Sequence, residues 1–265
     1  MNRIATIFNQ AGHKALIPYV TVGYPSIEAT LKVVPLLASS GCDIVELGIP
    51  FSDPLADGAT IQKASFCALQ NGVTPKLCLE VAKQLSQMVA IPLVFMTYFN
   101  PVFNYGLREF CNAWAKCGID GLIIPDLPPE EASELEAISQ RQGLDLIYLL
   151  SPTSTEERIR LVAERSQGFV YLVSVTGVTG VRTGLSAGLE AFIARVRQVA
   201  NQPLCVGFGI STPQQARQIA RIADGVIVGS RIIQLMEAED SYISLGNFIK
   251  QLRQALDEPP QEEKL

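Results

Sequence analysis

The chain has 265 residues, of which 48% are hydrophobic and 18% charged, and its formal net charge is −5. This composition is typical of a folded globular protein, and the negative charge argues against nucleic acid or an anionic membrane surface as the main partner. The single histidine, His13, excludes any site that needs two histidine ligands. The six cysteines form no C-x-x-C pair, which fits buried thiols in a reducing compartment. We therefore expect a cytoplasmic protein, and the amino terminus predicts no secretory leader.

Eight short apolar runs follow one another along the chain, and turn residues end each of them. Val, Ile and Leu dominate these runs with little polar alternation, as in parallel strands that are buried on both faces. The predicted strands are Leu16–Val22, Asp43–Gly48, Leu93–Tyr98, Gly121–Pro125, Leu144–Leu150, Phe169–Ser174, Leu204–Gly207 and Gly225–Gly229.

Helical patterns fill most of the segments between these strands, and several end at a glycine or begin at a proline. The predicted helices are Ile27–Ser39, Pro75–Gln87, Leu107–Cys117, Glu130–Gln142, Thr155–Ser166, Ala187–Ala200 and Pro213–Ile222. Eight strand–helix units without a break in composition predict an α/β fold, a (β/α)₈ TIM barrel with an N-terminal helix. We expect residues 1–265 to form one domain with a charged, frayed tail at about 257–265. An open doubly wound sheet is the alternative.

The unit that follows the second predicted strand is unusually long. It carries the extra segment Ile49–Gly72, which we interpret as a long loop. Long loops at the carboxyl ends of barrel strands usually have a function. The barrel therefore predicts a site on this side, after the second strand.

Acidic residues lie in the second predicted strand and in the loop that follows it. Glu46 lies inside the apolar second strand, where a carboxylate is costly unless it is paired or used. The plainer alternative is a salt bridge in the barrel core. Asp53 and Asp57 follow in the loop, and both are also ordinary turn residues. On spacing alone, the loop aspartates are better explained as turn formers.

Three glycine-rich turns come late in the chain. They are Thr176–Gly180, Gly207–Ser211 and Gly229-Ser230. Backbone N–H groups and a helix N-terminus bind phosphate at this place in barrels, although each turn alone could simply be tight. Together they predict a phosphate site that needs no Lys or Arg.

Longer motifs now carry a specific resemblance. The segment Val45–Gly58, VELGIPFSDPLADG, resembles the signature of the tryptophan synthase alpha subunit family. Further matches run in order from the first predicted strand to beyond the eighth: Pro18–Pro25, Met96–Pro101, Tyr171–Ser174, Gly177–Gly180, Gly207–Ser211 and Gly229-Ser230.

The resemblance implies a barrel enzyme that cleaves indole-3-glycerol phosphate to indole and glyceraldehyde 3-phosphate, a lyase of tryptophan biosynthesis. By residue-to-residue match, Glu46 and Asp57 are the catalytic acids and Tyr171 is a site tyrosine beside Glu46. Gly180, Gly209, Gly229 and Ser230 match the phosphate cradle. The positions that match the indole pocket are Tyr19, Met96, Ile123, Leu150, Phe208 and Thr179. Several members have Phe where this chain has Tyr19.

The resemblance also implies a pyridoxal-phosphate-dependent beta subunit as partner in an αββα complex, to which indole passes. Asp53, Pro54, Asn100 and Asn104 match loops on the partner-facing side. We expect no metal and no cofactor on this chain, and pyridoxal phosphate only on the partner. Two alternatives remain: a free-standing indole-3-glycerol-phosphate lyase, and a weakly catalytic subunit that activates a partner.

Overall fold

Parallel strands form one nine-stranded sheet in the computed structural model, which describes residues 3–174, 187–207 and 209–258. Each strand is buried over most of its length, which explains why its sequence is apolar on both faces. The strands are Ala15–Thr21 (β1), Val45–Gly48 (β2), Leu93–Met96 (β3), Gly121–Ile123 (β4), Asp145–Ile147 (β5), Leu149–Leu150 (β6), Val170–Val173 (β7), Leu204–Gly207 (β8) and Gly225–Val228 (β9).

The sheet curves into a barrel, whose two end strands are joined directly by the polypeptide chain. Its order is β5-β4-β3-β2-β1-β9-β8-β7-β6, so the two end strands are consecutive and only Tyr148 separates them. The N–H of Tyr148 donates to Ser166 Oγ at 3.1 Å, and its carbonyl accepts from the N–H of Tyr171 at 3.0 Å. The predicted barrel is thus confirmed, with its fifth strand divided in two, and the open doubly wound alternative is wrong.

Helices surround the barrel in the described part of the chain. Their bounds are Arg3–Phe8 (α1), Ile27–Ser39 (α2), Ala59–Gln70 (α3), Pro75–Met88 (α4), Phe99–Tyr105 (α5), Leu107–Cys117 (α6), Ser133–Gln142 (α7), Glu156–Arg165 (α8), Ala187–Arg197 (α9), Pro213–Ala220 (α10), Ser230–Ala238 (α11) and Ile243–Asp257 (α12).

Side-chain caps fix several of these helix starts. Thr74, Thr155 and Thr212 each accept a backbone N–H from the first turn of the helix that follows. α7 begins three residues later than predicted, because Pro129–Glu131 forms a separate 3₁₀ turn before it.

Two sequence predictions are wrong about local structure. The segment Ile49–Gly72 is not simply a long loop, since it contains the twelve-residue helix α3. Asn100 and Asn104 do not lie on a loop but on the short helix α5, where Asn104 Nδ2 donates to Asn100 Oδ1 at 2.9 Å. Residues one turn apart on a helix face the same side, which brings these two amides together.

Helix α1 closes the amino end of the barrel. Ile4 is fully buried in the cluster of side chains inside the barrel, where it packs against Gly121 and Gly168. Arg3 Nη1 forms a 2.9 Å ion pair with Asp120. The predicted N-terminal helix therefore fills one end of the barrel, and the open end is the carboxyl one.

Candidate active site

A cavity of about 300 Å³ opens at the carboxyl ends of the strands. Inward-facing strand residues form its floor, and the N-terminal ends of α3 and α11 contribute to its walls. Its lining consists of Tyr19, Glu46, Asp57, Gly58, Ile61, Met96, Tyr171, Gly209, Ile210, Ser211, Ile227, Gly229, Ser230, Arg231 and Gln234. Eight of the residues predicted from the sequence therefore surround one space.

Glu46 is the most unusual residue of this lining. It lies on β2 beside Tyr19 of β1, it is fully buried, and neither carboxylate oxygen has a hydrogen-bond partner in the described structure. Burial raises the pKa of this carboxyl to about 8. A carboxyl in such a position is protonated at neutral pH and can act as a general acid. The alternative of a salt bridge in the barrel core has no support at Glu46.

Asp57 lies in the segment between β2 and α3, one residue before Gly58, which caps α3. Partial burial raises its pKa to about 6, while a hydrogen bond with Tyr98 acts in the opposite direction. The Tyr98 hydroxyl also accepts the backbone N–H of Ala56 at 2.9 Å and so holds this segment. Asp57 is thus more buried than a polar surface loop suggests, but it is mainly ionised at pH 7.

Two buried tyrosines flank the acids. Tyr19 and Tyr171 both lie in the cluster inside the barrel, and both line the cavity. Burial raises the pKa of each phenol well above its ordinary value, and the nearby charges of Asp57 and Glu46 raise it further. Their hydroxyl groups therefore stay protonated and available as donors.

Two of the three late glycine turns, Gly207–Ser211 and Gly229-Ser230, contribute to the lining of the same cavity. Gly209 has a φ of +77°, a conformation that favours glycine, and Gly229 stands at the N-terminal end of α11 with Ser230 as its first residue. The free N–H groups of a first helical turn attract anions. Thr179, Gly180 and Phe208, which the sequence also predicts here, lie outside the described residues.

The predicted indole pocket needs one correction. Met96 lines the cavity and Ile123 lies in the cluster inside the barrel. Leu150, however, packs in the other cluster, between the sheet and the helices, and the neighbouring Leu149 faces inward instead. Successive strand residues point to opposite faces, so a prediction displaced by one residue selects the wrong face.

The residues matched to a partner face lie near the rim on this side. Asp53 is exposed in the loop after β2, next to Pro54, and the amides of Asn100 and Asn104 are exposed on α5. The sequence reasoning missed two apolar neighbours of these residues, Leu55 at 90% exposure and Phe103 at 63%. Exposed large apolar side chains of this kind often mark contact surfaces.

Further cavity residues were also missed. Ile61, Arg231 and Gln234 project from helices, and Tyr98 contacts Asp57 from 41 positions further along the chain. Signals existed for two of these residues: Arg231 directly follows Gly229-Ser230, and Tyr98 lies inside the matched segment Met96–Pro101.

Other features lie away from this cavity. His13 pairs with Asp43 at 2.8 Å, before the start of β1 and β2 and thus at the amino ends of the strands. No three His, Cys, Asp or Glu side chains of residues 3–174, 187–207 and 209–258 group as metal ligands. None of the helices described above is long and apolar enough to cross a membrane.

Comparisons with known proteins agree with one another. A family model described as tryptophan synthase alpha chain matches residues 6–257. The tryptophan synthase alpha chain of Dehalococcoides mccartyi is 58% identical over 97% of this chain and all of its own length, and that of Geobacter sulfurreducens is 48% identical over 97% and 99%. A solved structure of Mycobacterium tuberculosis tryptophan synthase aligns with a TM-score of 0.90 at 38% identity, covering 97% of this chain and 99% of that one. A structure from Aquifex aeolicus aligns equally well, with a TM-score of 0.90 at 41% identity, covering 97% and 100%.

Proposed function

This chain belongs to the tryptophan synthase alpha chain family, whose members catalyse the alpha reaction as lyases, and we propose that Glu46 and Asp57 perform that reaction in the barrel cavity. The reaction is the retro-aldol cleavage of indole-3-glycerol phosphate to indole and glyceraldehyde 3-phosphate. The observation that carries the assignment is the carboxyl of Glu46, which is buried and unpaired and lines the same cavity as Asp57.

Glu46 is the proton donor of the first step. Its raised pKa keeps the proton on the carboxyl at pH 7, ready for transfer to C3 of the indole ring. Protonation at C3 gives a cationic indolenine. Glu46 then accepts the proton of the hydroxyl group on the adjacent side-chain carbon as the C–C bond breaks. The bonding electrons return to the ring, indole is restored, and the hydroxyl carbon becomes the aldehyde.

Asp57 stabilises the charge that develops during protonation. Its carboxylate is mainly ionised at neutral pH and accepts a hydrogen bond from the indole N–H, which becomes more acidic as C3 is protonated. Tyr171 lies beside Glu46 and orients the reacting side chain of the substrate. The cationic ring is its own electron sink, so the reaction needs no metal and no organic cofactor on this chain.

The phosphate of the substrate binds at Gly209, Gly229 and Ser230, to which the family match adds Gly180. Binding energy from this remote group positions the reacting bond against Glu46. We assign Tyr19, Met96 and Ile123 to the pocket of the indole ring, and the family match adds Phe208 and Thr179. A bulky residue at Gly209 or Gly229 is expected to weaken the binding of glycerol phosphate, and an unchanged affinity would contradict the cradle.

The decisive test of the chemistry is Glu46→Gln. General acid catalysis contributes about 10²–10⁴-fold, so indole formation from indole-3-glycerol phosphate should fall by a factor of this order while the substrate still binds. Glu80→Gln, an exposed glutamate on α4, is the matched control and should leave the rate unchanged. Near-normal indole release by Glu46→Gln would overturn the assignment.

The family implies a beta subunit as partner. We place the contact on Asp53, Pro54, Asn100 and Asn104 in a heterotetramer of two alpha and two beta subunits, with pyridoxal phosphate held by the beta subunit. The exposed side chains of Leu55 and Phe103 support this face. A cytoplasmic location is supported by six cysteines that are all free thiols, and we regard residues 1–265 as a single barrel domain.

Indole formation should be measured with and without purified beta subunit. Strong activation supports the complex, high activity of the isolated chain supports a free-standing lyase, and no turnover in either case supports a purely activating subunit. Phe103→Ser should reduce the activation and leave the rate of the isolated chain unchanged. Phe66→Ser is the matched control, because Phe66 on α3 is equally exposed at 63%.

A further inference from the structure

A cationic side chain stands beside the phosphate cradle. Arg231 is the second residue of α11 and directly follows Ser230, and its side chain lines the cavity together with Gly229 and Ser230. In the described part of the chain, no carboxylate lies within ion-pair distance of its guanidinium. Its contacts are Gln234 Oε1 at 3.4 Å and the ring of Phe248, whose centroid lies 5.9 Å from Cζ.

Arg231 differs from the arginines of this chain that form ion pairs. Arg3, Arg197 and Arg253, for example, each form an ion pair with an aspartate. Arg231 instead rests on an aromatic face, which holds its guanidinium at the rim without neutralising its charge. A half-buried cation without an acidic partner, next to a row of backbone N–H groups, is suited to bind an anion.

Arg231 is the one positively charged side chain in the described lining of the cavity. The other ionisable groups of the described lining are Glu46, Asp57 and two tyrosines, so an incoming phosphate meets no other positive side chain there. Asp57 is mainly ionised at pH 7 and repels a dianion. Backbone N–H groups carry only partial charges, whereas an arginine fork supplies a full charge and two parallel hydrogen bonds.

We propose that Arg231 is a substrate-binding residue of the alpha reaction, which donates hydrogen bonds to the phosphate of indole-3-glycerol phosphate and selects phosphorylated over unphosphorylated substrates. This inference rests on the proposed function, since it adds a side chain to the same phosphate cradle. On binding of the ester, the guanidinium exchanges its long hydrogen bond to Gln234 for hydrogen bonds to the phosphate. The sequence alone predicts a phosphate site that needs no Lys or Arg. With Arg231, the proposed site has a cationic side chain in addition to its backbone N–H groups.

The test compares Arg231→Gln and Arg231→Lys with the wild-type chain. Inhibition constants are measured for glycerol phosphate and for indole against indole-3-glycerol phosphate cleavage, with beta subunit present. We expect Arg231→Gln to weaken glycerol phosphate binding and raise KM about tenfold, the loss of one charge-assisted contact. Indole binding and kcat should stay within about twofold, and Arg231→Lys should recover part of the loss. Arg160→Gln, an exposed arginine on α8, is the matched control.

Two results would overturn this inference. An unchanged inhibition constant for glycerol phosphate in Arg231→Gln would remove Arg231 from the cradle. An equal weakening for glycerol phosphate and indole would indicate a disturbed helix rather than a lost phosphate contact. Failure of the wild-type chain to cleave indole-3-glycerol phosphate would instead contradict the proposed function. Direct calorimetry of glycerol phosphate binding would then still decide whether Arg231 binds the phosphate ester.

Discussion

The phenol group of Tyr19 occupies the space that a Cβ atom on Gly48 would need. Tyr19 on β1 pairs with Glu46 of β2, and Gly48 is two residues further along β2. The same relationship recurs across the barrel, where Tyr171 pairs with Cys205 and fills the space beside Gly207. Each tyrosine thus reaches the cavity because the next strand ends in a residue without a side chain.

Gly48→Ala should therefore displace Tyr19 from the cavity. Overpacking at a buried site costs about 1–3 kcal/mol, and we expect a loss of that order in the free energy of unfolding together with lower activity. Urea unfolding and the rate of indole formation are the measurements. Gly188→Ala is the matched control, because nothing lies within 4 Å of the position of its Cβ. If Gly48→Ala costs as much in a Tyr19→Ala background as in the wild type, the two residues are not coupled.

The rate of indole formation should fall at both high and low pH. Because Glu46 must be protonated, kcat/KM is expected to fall as the pH rises through about 8, and because Asp57 must be ionised, it should fall as the pH drops through about 6. The two acids share one cavity, so the measured values describe the pair. A pH–rate profile of indole formation tests this, and a rate that stays constant far above pH 8 would exclude Glu46 as the acid.

Tyr98→Phe should move the acidic side of that profile. The hydrogen bond from Tyr98 lowers the pKa of Asp57, so its removal should raise that pKa and shift the acidic limb upward. The rate should then fall several-fold near pH 6 and change little near pH 8. The second ionisation of the substrate phosphate also lies near pH 6, but the substitution leaves it unchanged. Tyr105→Phe on α5 is the control, and an equal loss at every pH would point to a general disturbance of the loop.

Glu46→Gln should make the fold more stable, and increasingly so at higher pH. The folded chain keeps the proton on Glu46 up to about pH 8, whereas the unfolded chain loses it above about 4.5. The wild type therefore loses stability as the pH rises across this window, and glutamine does not. The advantage should reach about 4 kcal/mol at its upper end, at 1.36 kcal/mol for each pKa unit. Urea unfolding of both chains at several pH values measures it, and a difference independent of pH would mean that Glu46 is already ionised in the fold.

Much of the fold could be predicted from the sequence, because its signals are local. The bounds of α2 and α6 agree with prediction, since Ser26 caps the start of the first and Gly118 ends the second in a left-handed conformation. The pattern did not predict helices α3, α5, α11 and α12, whose N-cap residues form no side-chain hydrogen bond to the first turn. The division of the fifth strand at Tyr148 depends on the hydroxyl of Ser166, a contact that a run of apolar letters does not encode.

In the candidate site too, local sequence signals predicted some residues and missed those that depend on non-local packing. Glu46 and Asp57 could be predicted because a long motif contains both, and the structure brings them to one cavity. The choice between Leu149 and Leu150 could not, because a strand that is buried on both faces has no alternation to show which residue points inward. The raised pKa of Asp57 follows from partial burial, and its contact with Tyr98 joins segments far apart in the chain.

Helix α1 and its buried Ile4 close the amino end of the barrel, which limits the side from which substrate and products can pass. With Ile4, Ile17 and Phe169 fully buried below the cavity, the described barrel is a well that is sealed at its base. We therefore expect the ester to enter, and both products to leave, at the carboxyl end, where the cavity lies. A beta subunit that docks on Asp53, Pro54, Asn100 and Asn104 would then lie beside the route by which indole leaves.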